Sequence, residues 1–362
     1  MPARREEPLH VAYEGRTDGI THGSWALVNR RLRPALEARA GLAVHACDPG
    51  QEPLCPGPWD VWLSHYYPGL EPGRAFILPP AGARRWVAWV AWEHGPVPMH
   101  WEDAWRAGRV AEVWACSEHT RRLLLASTSL DPAKVRVVAY GVDTALFNPE
   151  GPTWDLQTEA FRVLYVGGAV PRKGFDLVVE AFDRAFRPED GARLVLKLQG
   201  LRSFYRNEPP AEAPGRPDVQ VLGADDYTDE QMAMLYRSVD VVCQPYRAEG
   251  FCLPALEAMA SGRVVVYPAH GPVPEYAAQD VGAISVPVFG GEPAVDSLAR
   301  ALRWLWRDGE TRAHMAKQAR NVSLGLDWTH VAEGIEEKLR EVVAGSGDAF
   351  TPPAPARPAP RP

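Results

Sequence analysis

The chain has 362 residues, 46% of them hydrophobic, which is enough for two packed domains because a single core stops growing at about 250–300 residues. The formal net charge is -7 and the acidic and basic residues are interspersed, so nucleic-acid binding is not the expected function. The longest apolar stretches are shorter than the ~20 residues that span a bilayer, and no apolar signal core follows the first basic residues, so a cytoplasmic location is expected.

Short β-branched runs alternate with segments of helical period, which is the pattern of βαβ units around a parallel sheet. In the first half of the chain the predicted strands are Leu9–Tyr13, Leu42–Cys47, Asp60–His65, Trp86–Trp92, Trp114–Ser117 and Val135–Tyr140. The stretch from Asn148 to Ala160 is rich in Gly, Pro and polar residues. It interrupts the alternation and predicts a linker.

The alternation then restarts and predicts a second sheet, with strands Phe161–Gly167, Arg193–Gln199, Val219–Leu222, Asp240–Pro245 and Arg263–Tyr267. Residues 294–342 are predicted to be helical, and the Pro- and Ala-rich tail at 344–362 is expected to be disordered. The sequence therefore predicts an α/β chain of two doubly wound, Rossmann-like domains. The first domain is predicted to span residues 1–148 and the second to span residues 161–325, with a linker at 149–160. A C-terminal helix at 326–343 is predicted to pack back toward the first domain.

Two acidic residues follow a predicted strand in the stretch from Val239 to Gly262. Glu249 falls in the strand-to-helix loop, and Glu257 falls early in the helix that Pro254 helps to begin. Gly250 permits close approach of a ligand, and the free N–H groups of the first helical turn make a donor-rich end. Carboxylates there can bind a sugar or a ribose, or stabilise positive charge at an anomeric carbon. The alternative is a solvated loop acid and a helix-dipole partner.

A strand, a Gly-Gly turn, a basic pair and a helix follow one another from Phe161 to Asp176. The basic pair, Arg172 and Lys173, comes after Gly167 and Gly168 and before the helix. Two cations beside a helix N-terminus suit a diphosphate whose negative charge rises as it leaves. A solvated surface pair is the alternative.

These two segments resemble the donor-binding domain of the GT-B glycosyltransferases, in particular the large retaining family four, the glycosyl transferases group 1. The hallmark of that family is two glutamates separated by seven residues, which Glu249 and Glu257 match. Other matching segments are Lys173-Gly174, Gly271-Pro272, Glu275-Tyr276, Gly141-Val142-Asp143 and Phe147-Asn148-Pro149. The resemblance spans about residues 9–342. It implies two Rossmann-like domains facing across a cleft, with the acceptor side in the first domain and the nucleotide-sugar donor in the second.

The resemblance also implies roles for individual residues. In the family, the residue that corresponds to Glu249 lies near the donor sugar, and the residue that corresponds to Glu257 binds the ribose hydroxyls. The residue that corresponds to Lys173 neutralises the leaving diphosphate. The donor is also expected to meet the backbone of Gly168, Gly250, Phe251, Cys252 and Leu253. Many family members carry Arg where this chain has Gly168, and Arg172 is the candidate for the second positive charge.

In the first domain, Gly23 and Ser24 are the best match for the glycine-rich loop that the family places over the diphosphate. Glu93 and His94 follow a predicted strand, and related enzymes carry a His or an acid on the acceptor side. Both are therefore candidates for contacting the reacting hydroxyl of the acceptor. The alternative for His94 is an ordinary histidine in a loop.

Two further features of the first domain have a structural and a functional interpretation. Trp101 and Trp105 lie four residues apart and would share one face of a helix. Core packing is the favoured interpretation, and a stacking platform for acceptor sugars is the alternative. The basic residues Arg30, Arg31 and Arg33 are expected to form a solvated helix face, with contact to an anionic membrane as the alternative.

No metal or cofactor is expected. The chain has no Asp-x-Asp pair to hold a cation on a diphosphate. Its cysteines include no Cys-x-x-Cys pair, and most of them are expected to be core thiols: Cys47, Cys55, Cys116, Cys243 and Cys252.

The predicted function is metal-independent transfer of a sugar, with retention of configuration, from a donor of the UDP or GDP type to a glycan, lipid-linked or protein acceptor. The alternatives are a nucleotide-sugar epimerase or phosphorylase of similar fold, or a non-catalytic sugar-nucleotide binding protein. Thermal stabilisation by members of a panel of nucleotide sugars would narrow down the donor, because a ligand that binds only the native state raises the melting temperature.

Overall fold

The computed structural model describes residues 7–17, 23–51, 53–54, 56–71, 75–156, 160–199, 216–222, 227–277 and 282–345. These residues form two compact units. The first contains the described residues up to Cys116, then Thr120–Val138 and those from Val331 on, and the second contains Ser117–His119 and Ala139–His330. Cys55, residues 157–159 of the predicted linker and residues 346–362 of the predicted tail lie outside the described residues.

The first unit contains a sheet of six parallel strands in the order β2-β1-β3-β4-β5-β6. The strands are β1 (Leu9–Glu14), β2 (Leu42–Cys47), β3 (Val61–Ser64), β4 (Trp86–Val90), β5 (Glu112–Ala115) and β6 (Val135–Val137). The helices between them are α1 (Gly23–Glu37), α2 (Met99–Ala107) and α3 (Glu118–Ser127). Each predicted strand of this half is present, and β4, β5 and β6 end two or three residues earlier than predicted.

The second unit contains another sheet of six parallel strands, in the order β12-β11-β10-β7-β8-β9. The strands are β7 (Phe161–Gly168), β8 (Ala192–Gln199), β9 (Val219–Leu222), β10 (Val241–Cys243), β11 (Val264–Pro268) and β12 (Ala283–Val286), followed by the short hairpin β13 (Val288–Phe289) and β14 (Glu292–Pro293). The helices are α4 (Phe175–Ala185), α5 (Asp229–Arg237), α6 (Leu253–Ala260), α7 (Val273–Tyr276), α8 (Val295–Arg307) and α9 (Gly309–Leu324). β12 and the hairpin were not predicted from the sequence.

The last helix, α10 (Trp328–Ala344), begins in the second unit, and its residues from Val331 on belong to the first. The described residues between 139 and 160 belong to the second unit, whereas the sequence predicted that they divide between the first domain and the linker. Within the described part of the chain, no helix combines the length and the apolar character that crossing a bilayer requires.

The core of the first unit is rich in tryptophan. Trp101 and Trp105 on α2 are fully buried, and both rings lie within 5.6 Å of the ring of Phe76. They belong to one buried cluster with Trp86 and Trp62 of the sheet. Core packing of Trp101 and Trp105 is confirmed, and the alternative of an exposed platform for sugar rings is wrong, because a buried ring offers no face to a ligand.

The core of the second unit forms where α4 and α8 pack on the sheet. The apolar face of α4 is buried against alternate residues of β7 and β8, among them Val163, Leu194 and Leu196. That face is formed by Leu177, Val178, Ala181 and Phe182. Each such side chain contributes roughly 1.5–3 kcal/mol when it leaves water. This packing fixes the position of α4 relative to β7, and therefore the position of the turn that joins them.

Candidate active site

The strand order places a crevice at one end of the second sheet. The chain leaves β7 toward β8 on one side, and β10 lies on the other side of β7. At such a reversal the connections run to opposite faces, and ligands of doubly wound sheets bind beyond the carboxyl ends of the two strands. The turn after β7 and the loop after β10 carry most of the predicted site residues. The second unit therefore brings together the basic pair and the two glutamates in its own fold.

The turn after β7 contains the basic pair. Pro171–Lys173 form one turn of 3-10 helix, and Gly174 has a φ of 73° at the start of α4. A Cβ at Gly174 would lie 2.0 Å from the carbonyl oxygen of Pro245 in the loop after β10. Only glycine fits there, because the φ is left-handed and the backbone of the neighbouring loop is too close. The glycine thus allows Lys173 to approach the loop that carries Glu249.

Lys173 and Glu249 form an ion pair at this crevice. The Lys173 ammonium donates to the Glu249 carboxylate, and the two side chains are only 20% and 8% exposed. Charges held so far from water need a partner, and removing one of them leaves the other uncompensated. The pair is the most buried charge contact of the crevice, and it joins the two predicted segments directly.

Backbone contacts fasten the same two segments. The Arg172 carbonyl accepts hydrogen bonds from the N–H groups of Arg247 at 2.9 Å and of Ala248 at 3.3 Å. The Arg172 guanidinium in turn lies 3.4 Å from the Ala248 carbonyl. Arg172 therefore faces the loop after β10 and is not the solvated surface residue that the alternative interpretation described.

Arg247 is a structural residue that the sequence analysis did not single out. Its guanidinium donates to both carboxylate oxygens of Asp176 at 2.8 and 2.6 Å, and to the Pro171 carbonyl at 2.6 Å. A second carboxylate, that of Glu292, accepts at 2.8 Å. Planar, bidentate contacts of this kind are strong and directional. Arg247 therefore holds the turn that carries Lys173 from its outer side.

The loop before α6 is held by its carbonyl groups. Ser117 Oγ donates to the Gly250 carbonyl at 2.7 Å, and the Tyr276 hydroxyl lies 3.0 Å from the Phe251 carbonyl oxygen and 2.9 Å from that of Cys252. Within the part of the chain that the structure describes, no group accepts a hydrogen bond from the backbone N–H of Phe251 or Cys252, although both residues are buried. Buried N–H groups are nearly always paired, so these two are suited to a ligand.

Cys252 has an unusual backbone conformation for a residue with a side chain. Its φ of 68° and ψ of 64° lie in the left-handed region, and it immediately precedes Leu253, the first residue of α6. Such a conformation costs of order 1–3 kcal/mol and persists where the surroundings fix it. Burial raises the pKa of its thiol well above the ordinary value, which agrees with the predicted core thiol.

Glu257 and Gly168 are the remaining predicted site residues of the second unit. Glu257 lies on α6, where its carboxylate accepts a hydrogen bond from the Tyr236 hydroxyl at 2.9 Å. Gly168 ends β7, and its carbonyl accepts from the Tyr165 hydroxyl at 2.8 Å. Gly168 offers no side-chain charge, and the cationic side chains on the turn that follows it are those of Arg172 and Lys173.

The candidate residues of the first unit lie at the start of a helix and in a loop after a strand. Gly23 and Ser24 begin α1, with Ser24 exposed, and residues 18–22 before them are outside the described part of the chain. Glu93 is half-buried and His94 is exposed in the loop between β4 and α2. Ser24 and His94 are accessible to solvent.

The first sheet has a polar cluster that the sequence analysis missed. It lies where β1 and β3 run side by side. The buried Glu14 carboxylate accepts hydrogen bonds from Ser64 Oγ at 2.6 Å, Trp62 Nε1 at 3.1 Å and the Gly50 N–H at 3.1 Å. Burial raises the pKa of Glu14 above its ordinary value. These partners come from two other segments, β3 and the loop after β2, so the sequence could give no signal beyond an acid at the end of a strand.

His65 lies next to that cluster, fully buried at the end of β3. Its ring centroid is 4.9 Å from those of Trp25 and Trp89, and its Nδ1 faces the side-chain oxygen of Asn29. Burial lowers the pKa of His65 to about 3, so the ring is neutral at physiological pH. The Asn29 amide also donates to the Arg16 carbonyl at 2.7 Å, which ties the loop after β1 to α1.

In the described part of the chain, no three His, Cys, Asp or Glu side chains converge on a possible metal position. The polar groups at the crevice are instead a lysine, an arginine, two carboxylates and backbone N–H groups. Those groups match a ligand that carries both phosphates and hydroxyls.

A known protein family matches this chain over the region that contains the crevice. Residues 152–322 match the family model "Glycosyl transferases group 1". A D-inositol 3-phosphate glycosyltransferase of Kribbella flavida is 34% identical over 219 residues, which are 56% of this chain and 50% of that protein. The chain spans about half the length of the curated relatives that it matches first.

Two solved structures match almost the whole chain. A glycosyltransferase from Rickettsia africae has a TM-score of 0.71 at 13% identity, covering 94% of this chain and all of its own. Anabaena HepE, solved in complex with UDP and glucose, has a TM-score of 0.63 at 16% identity, covering 91% of this chain and 99% of its own. The expected fold is confirmed: the chain has the two-domain α/β architecture of GT-B glycosyltransferases, and residues 152–322 match the glycosyl transferases group 1.

Proposed function

We propose that this chain is a glycosyltransferase that moves a sugar from a nucleotide-diphosphate donor of the UDP or GDP type to an acceptor hydroxyl, with retention of configuration and without a metal ion. The observation that carries the proposal is the buried Lys173–Glu249 pair at the crevice between β7 and β10, beside a loop with unpaired backbone N–H groups. A cation, a carboxylate and free N–H groups in one crevice suit a substrate that has a diphosphate next to a sugar.

The diphosphate would be bound by positive charge and by the backbone. Lys173 and Arg172 lie on the turn after β7, and the N–H groups of Phe251 and Cys252 precede the N-terminus of α6. Helix N-termini and oriented amides favour anions, and they require no reorganisation as the leaving group gains charge. The complex of HepE with UDP and glucose supports a donor of this chemical class.

The two glutamates would have different tasks. Glu257 lies on α6 with its carboxylate oriented by Tyr236, which suits a bond to the ribose hydroxyls. Glu249 is paired with Lys173, so its negative charge lies where the sugar and the diphosphate separate. In the proposed reaction the acceptor attacks the face that the diphosphate leaves, and the departing phosphate takes the acceptor proton. Neither glutamate then acts as a covalent nucleophile.

The acceptor side is proposed to lie in the first unit. Glu93 and His94 are the candidates for contact with the acceptor hydroxyl, and Gly23 and Ser24 are the candidates for the loop over the diphosphate. The acceptor would be a glycan, a lipid-linked sugar or a protein, and the protein would act in the cytoplasm.

A panel of nucleotide sugars tests the proposal. A ligand that binds only the native state raises the melting temperature, so one nucleotide sugar of the UDP or GDP series should stabilise the protein more than its free sugar does. The stabilising donor is then incubated with candidate acceptors, and the anomeric coupling constant of the product is measured by NMR. Absence of stabilisation by any member of the panel, or an inverted product, would contradict the proposal.

A second candidate is a sugar-nucleotide binding protein without turnover. It is favoured by Gly168, which has no side-chain charge, and by Glu249, which already neutralises Lys173. Binding without release of a nucleoside diphosphate from any donor would support this candidate.

A further inference from the structure

Two hydroxyl groups hold three consecutive carbonyl groups of the loop before α6. Ser117 Oγ donates to the Gly250 carbonyl, and the Tyr276 hydroxyl is shared between the carbonyls of Phe251 and Cys252. We refer to Ser117 and Tyr276 together as the carbonyl clamp.

The carbonyl clamp determines where the N–H groups of this loop point. In a planar trans peptide the C=O and the N–H point in opposite directions. The three clamped carbonyls belong to the peptides that supply the N–H groups of Phe251, Cys252 and Leu253. These N–H groups must therefore point away from the clamp. Successive N–H groups beside a left-handed residue, here Cys252, form a concavity that binds anions.

The clamp is itself anchored. Glu275, next to Tyr276 on α7, accepts hydrogen bonds from the N–H groups of Glu118 and His119 at 2.7 Å each, which fixes the backbone directly after Ser117. The Tyr276 ring stacks on Phe251 with centroids 5.2 Å apart. Burial raises the pKa of the Tyr276 hydroxyl well above its ordinary value, so the group remains a hydrogen-bond donor across the physiological range.

We propose that Ser117 and Tyr276 are positioning residues that aim the N–H groups of Phe251, Cys252 and Leu253 at the phosphates of the nucleotide donor. The inference rests on the proposed function and deepens it. Neither side chain needs to touch the donor, because each acts through a peptide group whose opposite side faces the anion.

The test compares a ligand that has phosphates with one that lacks them. The dissociation constants of UDP and of uridine, with GDP and guanosine in parallel, are measured for wild type, Ser117→Ala and Tyr276→Phe. Ser323→Ala is the matched control, because Ser323 is also fully buried and donates to a backbone carbonyl, that of Arg320, at the same 2.7 Å. Ser117→Thr keeps a hydroxyl and serves as the rescue variant.

Each clamp variant should weaken nucleoside diphosphate binding by about tenfold, the scale of one or two hydrogen bonds. Nucleoside binding should change by less than about twofold, and Ser117→Thr should recover most of the loss. A role in stability alone would instead lower the melting temperature and weaken both ligands equally, which would overturn the inference. Unchanged diphosphate binding in both variants would overturn it too. If wild type bound neither UDP nor GDP, the proposed function would fail, and the inference with it.

Discussion

Lys173 and Glu249 come from different strand ends, 76 residues apart in the chain, and their side chains form a largely buried ion pair. Gly174 makes the approach possible, and Arg247 holds the turn from its outer side. In the proposed reaction this pair lies between the sugar and the diphosphate. A donor phosphate would compete with Glu249 for the Lys173 ammonium, so the pair is expected to loosen as negative charge develops on the leaving group.

Replacing Lys173 tests the role of the positive charge. Lys173→Ala should lower turnover by about 100-fold or more, which is the scale of one preorganised contact to developing charge. Steady-state kinetics with the donor found in the panel measure the effect. Lys317→Ala, which removes an exposed lysine from α9, is the control and should leave turnover unchanged. A Lys173→Ala enzyme with nearly normal turnover would rule out the assignment.

The two glutamates should give different kinetic signatures. Glu257→Gln should raise the Michaelis constant and leave turnover largely intact, because a bond to the ribose is nearly the same in ground and transition states. Glu249→Gln should mainly lower turnover, because the charge it senses appears only as the glycosidic bond breaks. Equal changes in both constants for both variants would remove this division of roles.

Activity should survive removal of metal ions. The chain has no Asp-x-Asp pair, and the proposed counter-charges on the diphosphate are Lys173 and Arg172. The assay is run in excess EDTA after dialysis against chelator, with a metal-dependent transferase as the positive control. Loss of activity that magnesium or manganese restores would show that the proposed charge balance is wrong.

The buried His65 should make the first unit sensitive to acid. In the folded protein the pKa of His65 is about 3, below the ordinary value. As pH falls, His65 is therefore protonated in the unfolded chain at a higher pH than in the folded protein. The stability that the neutral ring contributes is therefore complete above pH ~6.5 and declines below it, by up to about 1.4 kcal/mol per pH unit.

The comparison variant is His65→Asn, which keeps a donor near the position of Nδ1 but does not titrate. Denaturant unfolding between pH 7 and 4.5 should show that wild type loses about 2.5 kcal/mol more than the variant. Because Glu14 is present in both proteins, its own titration largely cancels in the difference. Parallel stability curves would contradict the buried, neutral His65.

How much the sequence predicted depended on the range of the interactions involved. The strands near the site and the residues that follow them were predictable, because strand period and turn chemistry are local, and Lys173 and Glu249 each lie just beyond a strand. The partner of each was not predictable. Ser117 bonds to the carbonyl of a residue 133 positions away, and Asn29 meets His65 only after β1, β3 and α1 have packed. The four-residue strand β12 was not predicted, although β9, of the same length, was.

Sugar transfer from a nucleotide-diphosphate donor is tested most directly by 31P NMR. The spectrum of the stabilising nucleotide sugar is followed during incubation with the protein and an acceptor. The diphosphate resonances of the donor should be replaced by those of free nucleoside diphosphate, at a rate that Lys173→Ala lowers by about 100-fold. That result would show that the donor is cleaved between the sugar and the diphosphate. A donor that stays intact with every acceptor tried, or that yields nucleoside monophosphate instead, would contradict the account.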